Sequence, residues 1–131
     1  MNENCFELII DGNEFNTYKE FTEYFSEKFL KQKWNGGLDA FEDILFQRFG
    51  LPYDNFKIKW INSKRSYEKL GVEETIKWYN ERIKNCYPSN VKIMQDRLEL
   101  LVIGKERTIF EMLINIIKEQ ESEGDLTLIL E

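Results

Sequence analysis

The chain of 131 residues is long enough to bury one hydrophobic core, so we expect a single domain spanning residues 1–131. Its hydrophobic content of 42%, with 15% aromatic residues, argues against a disordered chain. Its net charge of −6 repels nucleic-acid backbones and favours encounter with a basic protein, so no nucleic-acid partner is expected.

The residue types that usually build catalytic and metal sites are scarce. Histidine is absent, which removes the commonest general base and the commonest zinc ligand, and we expect no metal and no cofactor. The two cysteines, Cys5 and Cys86, match no paired metal-ligand spacing and are too few for a disulfide scaffold, so reduced thiols are expected. The early apolar run Phe6 to Ile10 is too short for a signal peptide or a membrane span, which predicts a cytoplasmic protein without a membrane partner.

A strand and a helix are predicted at the start of the chain. The apolar run from Cys5 to Ile10 is expected to form a buried strand, because the turn pair Asp11-Gly12 closes it. Thr17 and Glu20 have the spacing of a capping box, which predicts the start of a helix. The aromatic residues of this helix recur at three- and four-residue steps and form one face: Tyr18, Phe21, Phe25 and Phe29.

A loop that contains two glycines separates this helix from a second one. Residues 31–37 break the helical pattern, and Trp34 stands just before Asn35-Gly36-Gly37. The second helix is predicted to begin at Leu38 and to end at Gly50 and Pro52. Its inward residues have helical spacing: Leu38, Phe41, Ile44, Leu45 and Phe49.

The middle of the chain predicts one strand and two further helices. Apolar residues alternate with lysines over residues 56–60, which is the pattern of a strand with one open face, and the lysines favour an edge position. A short helix is expected over Ser63 to Leu70, and a longer amphipathic helix from Val72 to about Cys86. The alternating residues are Phe56, Ile58 and Trp60 with Lys57 and Lys59.

The last third of the chain contains one ambiguous segment. Residues Val91 to Ile103 fit either a buried strand or a helix of modest length, and the shortness of the apolar run favours the strand. Thr108 and Glu111 have the spacing of a second capping box, which predicts a final helix. The apolar run Leu126 to Leu130, after the turn Glu123-Gly124-Asp125, predicts a strand covered on both faces.

Strands that alternate with helices imply a parallel sheet, because parallel neighbours need crossover connections and helices supply them. The predicted fold class is therefore α/β, with a small, mainly parallel sheet of three to four strands packed against helices. The chain shows no internal repeat and no linker rich in Pro, Gly or Ser.

The second predicted helix carries an acidic outer face. Asp39 and Asp43 lie one turn apart, Glu42 is beside them, and no basic residue follows before Arg48. Like charges at this spacing destabilise an isolated helix by roughly 0.2–0.5 kcal/mol per pair. The helix dipole favours an acid in the first turn, which accounts for Asp39 but not for Asp43. The residues alone leave two alternatives open, a solvated acidic face and a binding face.

The segment that contains these acids resembles the inhibitory loop and helix of the barstar family. It runs from Trp34 through Asn35-Gly36-Gly37 to Leu38-Asp39-Ala40 and Asp43. The family pattern has an aromatic residue, a Gly-containing loop, Leu-Asp-Ala and a second Asp one turn later. Three other stretches resemble the family in the same order, so that the likeness covers roughly half of the chain: residues 9–15, Trp60 with Ser63-Lys64, and residues 123–130.

The resemblance implies a barstar-like inhibitor that binds and occludes the active site of a basic ribonuclease or related toxin. A late glutamate of the family's last long helix falls on Lys118 or Glu119 here, and the matching charge favours Glu119. Trp34 has a second explanation, which is that its ring covers the core. The implied partner-binding residues are Trp34, Asn35, Gly36, Gly37, Asp39, Glu42, Asp43 and Glu119.

The chain also departs from the family pattern. Glu42 stands where the family has an aromatic residue, and Gly36 stands where the loop has a glutamate. The region from Val72 to about Glu106 is longer than the family needs, which predicts an extra helix–strand unit and a fourth strand. An immunity or regulatory protein for a different toxin or protein partner is therefore the alternative function.

Catalysis is the competing interpretation, with Asp39 and Asp43 or Glu42 as paired carboxylates for acid–base work or a metal site. An acid pair one turn apart is weak evidence for an active site. The chain has no histidine, no phosphate-binding glycine motif and no pattern of an activated nucleophile. A binding protein without enzymatic activity is expected instead.

Overall fold

The computed structural model describes residues 5–51, 54–122 and 124–131, with the backbone but not the side chain of Cys5. Pro52 and Glu123, which the sequence assigns to a helix end and a turn, lie outside the described residues. A short 3-10 turn (Arg48–Gly50) follows the second helix. The elements in chain order are β1 (Cys5–Asp11), α1 (Tyr18–Phe29), α2 (Leu38–Phe46), β2 (Asn55–Ile61), α3 (Ser63–Lys69), α4 (Val72–Asn85), α5 (Pro88–Val102), α6 (Ile109–Glu121) and β3 (Leu126–Leu130).

The strands form one three-stranded parallel sheet in which β2 lies between β1 and β3. This confirms the predicted α/β class with a small parallel sheet packed against helices. Because successive side chains of a strand point to opposite faces, alternate residues form one covered face. Leu8, Ile10, Ile58 and Trp60 on that face are each 2% exposed or less, whereas Ile9 on the other face is 45% exposed.

Three predictions about the strands are wrong. β2 is the central strand, and its lysines Lys57 and Lys59 lie on the open face rather than at an edge. β3 is not covered on both faces, because Leu126 on one face is buried while Thr127 on the other is exposed. β1 is likewise open on one side, at Ile9. Alternation along a strand reports which face is covered and carries no information about the neighbouring strands.

Residues Val91 to Val102, for which the sequence favours a strand, belong to helix α5, and Ile103 caps the end of that helix. Pro88 lies in the first turn of α5, where its missing N–H costs no hydrogen bond. The extra unit is therefore a pair of helices, α4 and α5, and the described residues contain no fourth strand. The less exposed apolar residues of α5 recur at helical spacing, as Val91, Met94, Leu98 and Leu101. The other apolar residues of the run that suggested a strand, Leu100, Val102 and Ile103, are exposed.

The helix starts predicted from the two capping-box patterns are confirmed, although only one of the two boxes is complete. Thr108 and Glu111 form a complete capping box at the start of α6. At α1 the Thr17 hydroxyl accepts a hydrogen bond from the Glu20 backbone N–H (3.1 Å). The Glu20 carboxylate accepts from the N–H of Asn16 (2.7 Å) instead of closing the box on Thr17.

An aromatic core joins the covered face of the sheet to α1 and α2. The rings of Phe21 and Trp60 are stacked with centroids 5.5 Å apart. Phe25 lies 5.7 Å from Trp34 and 5.4 Å from Phe41, measured between ring centroids. These contacts fix α2 and the loop before it against α1.

The two remaining sequence expectations concern the membrane and the cysteines. Across the described ranges, no helix combines the length and apolar character that crossing a bilayer requires. Cys86, just after α4, is a free and half-buried thiol.

The two faces of the sheet can be tested with one matched pair of variants. Ile58→Ala should lower the free energy of unfolding by about 2–5 kcal/mol, because it leaves a cavity in the core. Ile9→Ala removes the same atoms from the open face of the neighbouring strand and should cost less than about 1 kcal/mol. Urea unfolding followed by circular dichroism measures both values, and equal losses would contradict the one-sided burial.

Candidate protein-binding surface

Loop 34–37 is fixed to α1 by hydrogen bonds at each end. The Ser26 hydroxyl accepts from the Trp34 backbone N–H (2.9 Å) and donates to the Trp34 carbonyl (3.3 Å). The Tyr18 hydroxyl donates to the Gly36 carbonyl (2.6 Å), and the Trp34 indole N–H donates to the Gly37 carbonyl (2.9 Å). The loop therefore has a defined path into α2.

The Trp34 side chain lies in the core. It is 5% exposed, and its ring is stacked on Phe41 with centroids 5.2 Å apart. This confirms that the ring covers the core, and a contact of Trp34 with a partner stays a prediction. The indole supports the predicted surface from beneath, through its hydrogen bond to Gly37.

Glycine is required at position 36 for two independent reasons. Its φ of +92° is a conformation that residues with a side chain rarely adopt. A Cβ atom there would also lie 3.0 Å from Thr22 Cγ2 and 3.3 Å from Tyr18 Cε2. Gly37 has extended backbone, and its N–H donates to the exposed Asn35 side chain (3.2 Å).

Helix α2 presents three carboxylates to solvent. Asp39, Glu42 and Asp43 are all exposed, while Phe41 and Leu45 on the opposite side of the helix are fully buried. Within residues 5–51, 54–122 and 124–131, no ion pair or side-chain hydrogen bond engages any of the three carboxylates. The acidic face is thus carried by a helix that the core holds in place, and none of its carboxylates forms an ion pair among the described residues.

The first basic residue after these acids does not neutralise them. The Arg48 side chain is buried and bonds to the Asp125 carboxylate and the Leu45 carbonyl. It also donates to Gln120 Oε1 on α6 (3.3 Å). Arg48 therefore fastens the end of α2 to α6 and to the start of β3.

The late acidic residue lies on a different helix. Glu119 is exposed on α6, which packs beside α2, and its carboxylate accepts from the Asn115 side chain (3.0 Å). Among the described residues, no hydrogen bond links the Glu119 side chain to a residue of α2. Lys118 is exposed as well, so the choice of Glu119 over Lys118 stays a prediction.

A cleft of about 670 Å³ opens between loop 34–37, α1 and α4. Trp78 and Arg82 of α4 line it opposite the loop, with the Arg82 guanidinium 4.7 Å from the Trp78 ring centroid. A smaller pocket of about 290 Å³ continues past Arg82 and contains Asp39 and Arg97. The sequence did not predict that Trp78 and Arg82 line a cleft beside the loop. The four-residue spacing of Trp78 and Arg82 could have indicated their contact, but not that they face the loop.

The chemistry of the surface is that of carboxylates, amides and backbone groups. No group of three or more Asp, Glu or Cys side chains in the described part of the chain is arranged to hold a metal ion. Comparison of the sequence with models of known protein families finds no match, and comparison with curated protein sequences finds none either.

Because the Tyr18 hydroxyl is buried, it should make the stability of the protein depend on pH in alkaline solution. Desolvation raises the pKa of the Tyr18 hydroxyl, although the charge of Arg82 acts in the opposite direction. The neutral hydroxyl is therefore retained in the folded state as the pH rises through about 10, where an unfolded tyrosine ionises. Stability should fall above that pH, because the unfolded state alone loses its proton.

The variant Tyr18→Phe should lose about 0.5–1.5 kcal/mol of stability at neutral pH, because the Gly36 carbonyl loses its donor. It should also show a smaller alkaline loss than wild type. Part of that loss remains, since burial raises the pKa of Tyr24 and Tyr79 too. Tyr87→Phe, at a tyrosine that is 79% exposed, is the control. Urea unfolding at about pH 8 and about pH 10.5 decides; identical alkaline losses in the two variants would contradict the account.

Proposed function

We propose that this protein is a cytoplasmic inhibitor of the barstar type that binds a basic ribonuclease or related toxin domain and blocks its active site. One observation carries the proposal: three exposed carboxylates on one face of a firmly held helix have no partner among the described residues. The resemblance of residues 34–43 to the barstar inhibitory segment supplies the class of target.

The inhibitory action follows from the charge of a ribonuclease active site. Such a site concentrates cationic side chains to hold phosphate groups, and a carboxylate on a rigid helix can occupy the same place. In the proposal Asp43 is the central anchor and Asp39 pairs with a neighbouring base. Asn35 and the backbone of loop 34–37 contact the rim, and substrate is excluded.

The rigidity of the surface supports a binding role. Ordering of a loop on binding costs free energy, and a loop that is already fixed avoids that cost. The hydrogen bonds from Tyr18, Ser26 and Trp34 fix loop 34–37 in the free protein. The exposed position of the carboxylates favours binding over catalysis, because a paired-acid active site normally holds its substrate in a cleft.

The second candidate is a protein that binds a target unlike barnase, the ribonuclease for which the family is known. One observation favours this candidate. Asp39 shares its pocket with Arg82 and Arg97, so positive charge adjoins the acidic face. Together with Glu42, these arginines give the surface a charge pattern that the barstar segment does not predict. An immunity protein against a different toxin would use the same face.

The role of Asp43 is tested by Asp43→Asn, which keeps the size of the side chain and removes its charge. Binding to a ribonuclease of the barnase type should weaken by about 2–5 kcal/mol, or about 30-fold to several thousand-fold, because a desolvated cation in the target loses its partner. Calorimetric titration measures the affinity. Asp54→Asn removes an equal charge from another exposed site and is the control; equal affinities of the two variants would rule out the proposed interface.

Electrostatic steering predicts a second result. The association rate constant should fall at least tenfold between about 20 mM and about 500 mM salt, with a much smaller change in the dissociation rate, because screening acts on long-range attraction. Stopped-flow mixing with the ribonuclease measures the association rate. A rate that does not depend on salt would count against an acidic docking face.

A further inference from the structure

The lining of the cleft beside loop 34–37 carries one more basic than acidic side chain. One of its acids, Glu74, is directed toward α1, because it accepts a hydrogen bond from the Tyr18 backbone N–H (2.8 Å). A local excess of bases is unexpected in a chain whose net charge is −6. The charged residues that line the cleft are Lys19, Lys77 and Arg82, which are basic, and Glu74 and Glu81, which are acidic.

Arg82 stacks on Trp78 and leaves its donors free. Its guanidinium lies over the Trp78 ring, and stacking of this kind leaves the in-plane N–H groups available. Among the residues that the structure describes, no hydrogen bond or ion pair uses them. A stacked guanidinium with free donors is suited to a bidentate bond with a carboxylate.

We propose that this cleft, with Arg82 as its main contact, binds an acidic segment of the partner protein. The inference rests on the proposed function, which identifies the partner as a basic nuclease seated on α2. Loop 34–37 lines one side of the cleft and continues directly into α2. A partner protein bound to the carboxylates of α2 would therefore also cover the cleft. The target class is therefore a nuclease domain that carries carboxylates beside its cationic active site.

An acidic protein segment fits this cleft better than RNA does. A nucleic-acid strand would bring a continuous row of phosphates against the carboxylates of Asp39, Glu42 and Asp43 next to the cleft. A short acidic segment on an otherwise basic protein meets the bases of the cleft, while the rest of that protein meets the acids of α2. The two charge signs then fix the orientation of the partner.

The tryptophans provide an optical signal that is specific to the cleft. Trp34 is 5% exposed and Trp60 is 0% exposed. Trp78 is only partly buried and lines the cleft. A ligand bound beside Arg82 should therefore change the emission of Trp78 and leave the other two indoles unaffected.

The probe is the peptide hexaglutamate, titrated into the full chain at low salt. We expect a saturable change in tryptophan emission that about 0.5 M salt abolishes and that Trp78→Phe lacks. Lys77→Glu combined with Arg82→Glu should weaken the apparent affinity at least tenfold, whereas Lys105→Glu with Arg107→Glu should weaken it by less than about threefold. The second pair changes the net charge equally, on the exposed loop between α5 and α6.

The proposal is overturned if hexaglutamate leaves the emission unchanged or if both double variants lose affinity equally. It is also overturned if hexalysine or an RNA oligonucleotide binds the cleft more tightly than hexaglutamate. The peptide reports on the cleft in the free protein, so the two proposals can fail separately. Peptide binding without ribonuclease binding contradicts the proposed function, and ribonuclease binding without peptide binding contradicts the acidic-segment site.

Discussion

The packing of Trp34 connects the core of this protein to its acidic surface. The indole is stacked on Phe41 of α2 and contacts Phe25 of α1, while its N–H holds the carbonyl of Gly37, where α2 begins. Because the ring is fixed, the path of loop 34–37 and the direction of α2 are fixed too. The backbone of α2 is therefore in position in the free protein, so that in the proposed complex only the carboxylate side chains remain to be ordered.

The elements that the sequence could predict are those with a single apolar side. The aromatic residues of α1 recur at helical spacing on one face, and they are buried as that spacing requires. Helix α5 escaped prediction because exposed apolar residues such as Leu100 and Ile103 interrupt the helical pattern of its inward side. The central position of β2 also escaped it, since strand order depends on pairing between distant segments and leaves no trace in the alternation of one strand.

The candidate site likewise contains features that the sequence could predict and features that it could not. The pair Asp39 and Asp43 is a local feature, because two residues four apart on a helix share a face whatever surrounds them. The position of Trp78 and Arg82 in the cleft could not be predicted, since it depends on α4 packing opposite loop 34–37. The two alternatives for Trp34 were equally consistent with its type, because tryptophan serves both interiors and interfaces. The result is a surface on which the acids of α2 adjoin a cleft whose arginine, Arg82, comes from α4.

The most direct test of the inhibitory role is a titration of enzyme activity. Wild-type protein is added to basic microbial ribonucleases, each at a concentration well above the expected Kd, while RNA cleavage is followed by fluorescence. The account predicts that cleavage by a susceptible ribonuclease falls linearly and stops at about one equivalent of protein, as it does for a tight active-site plug. Undiminished cleavage by every ribonuclease at a large excess of protein would contradict it.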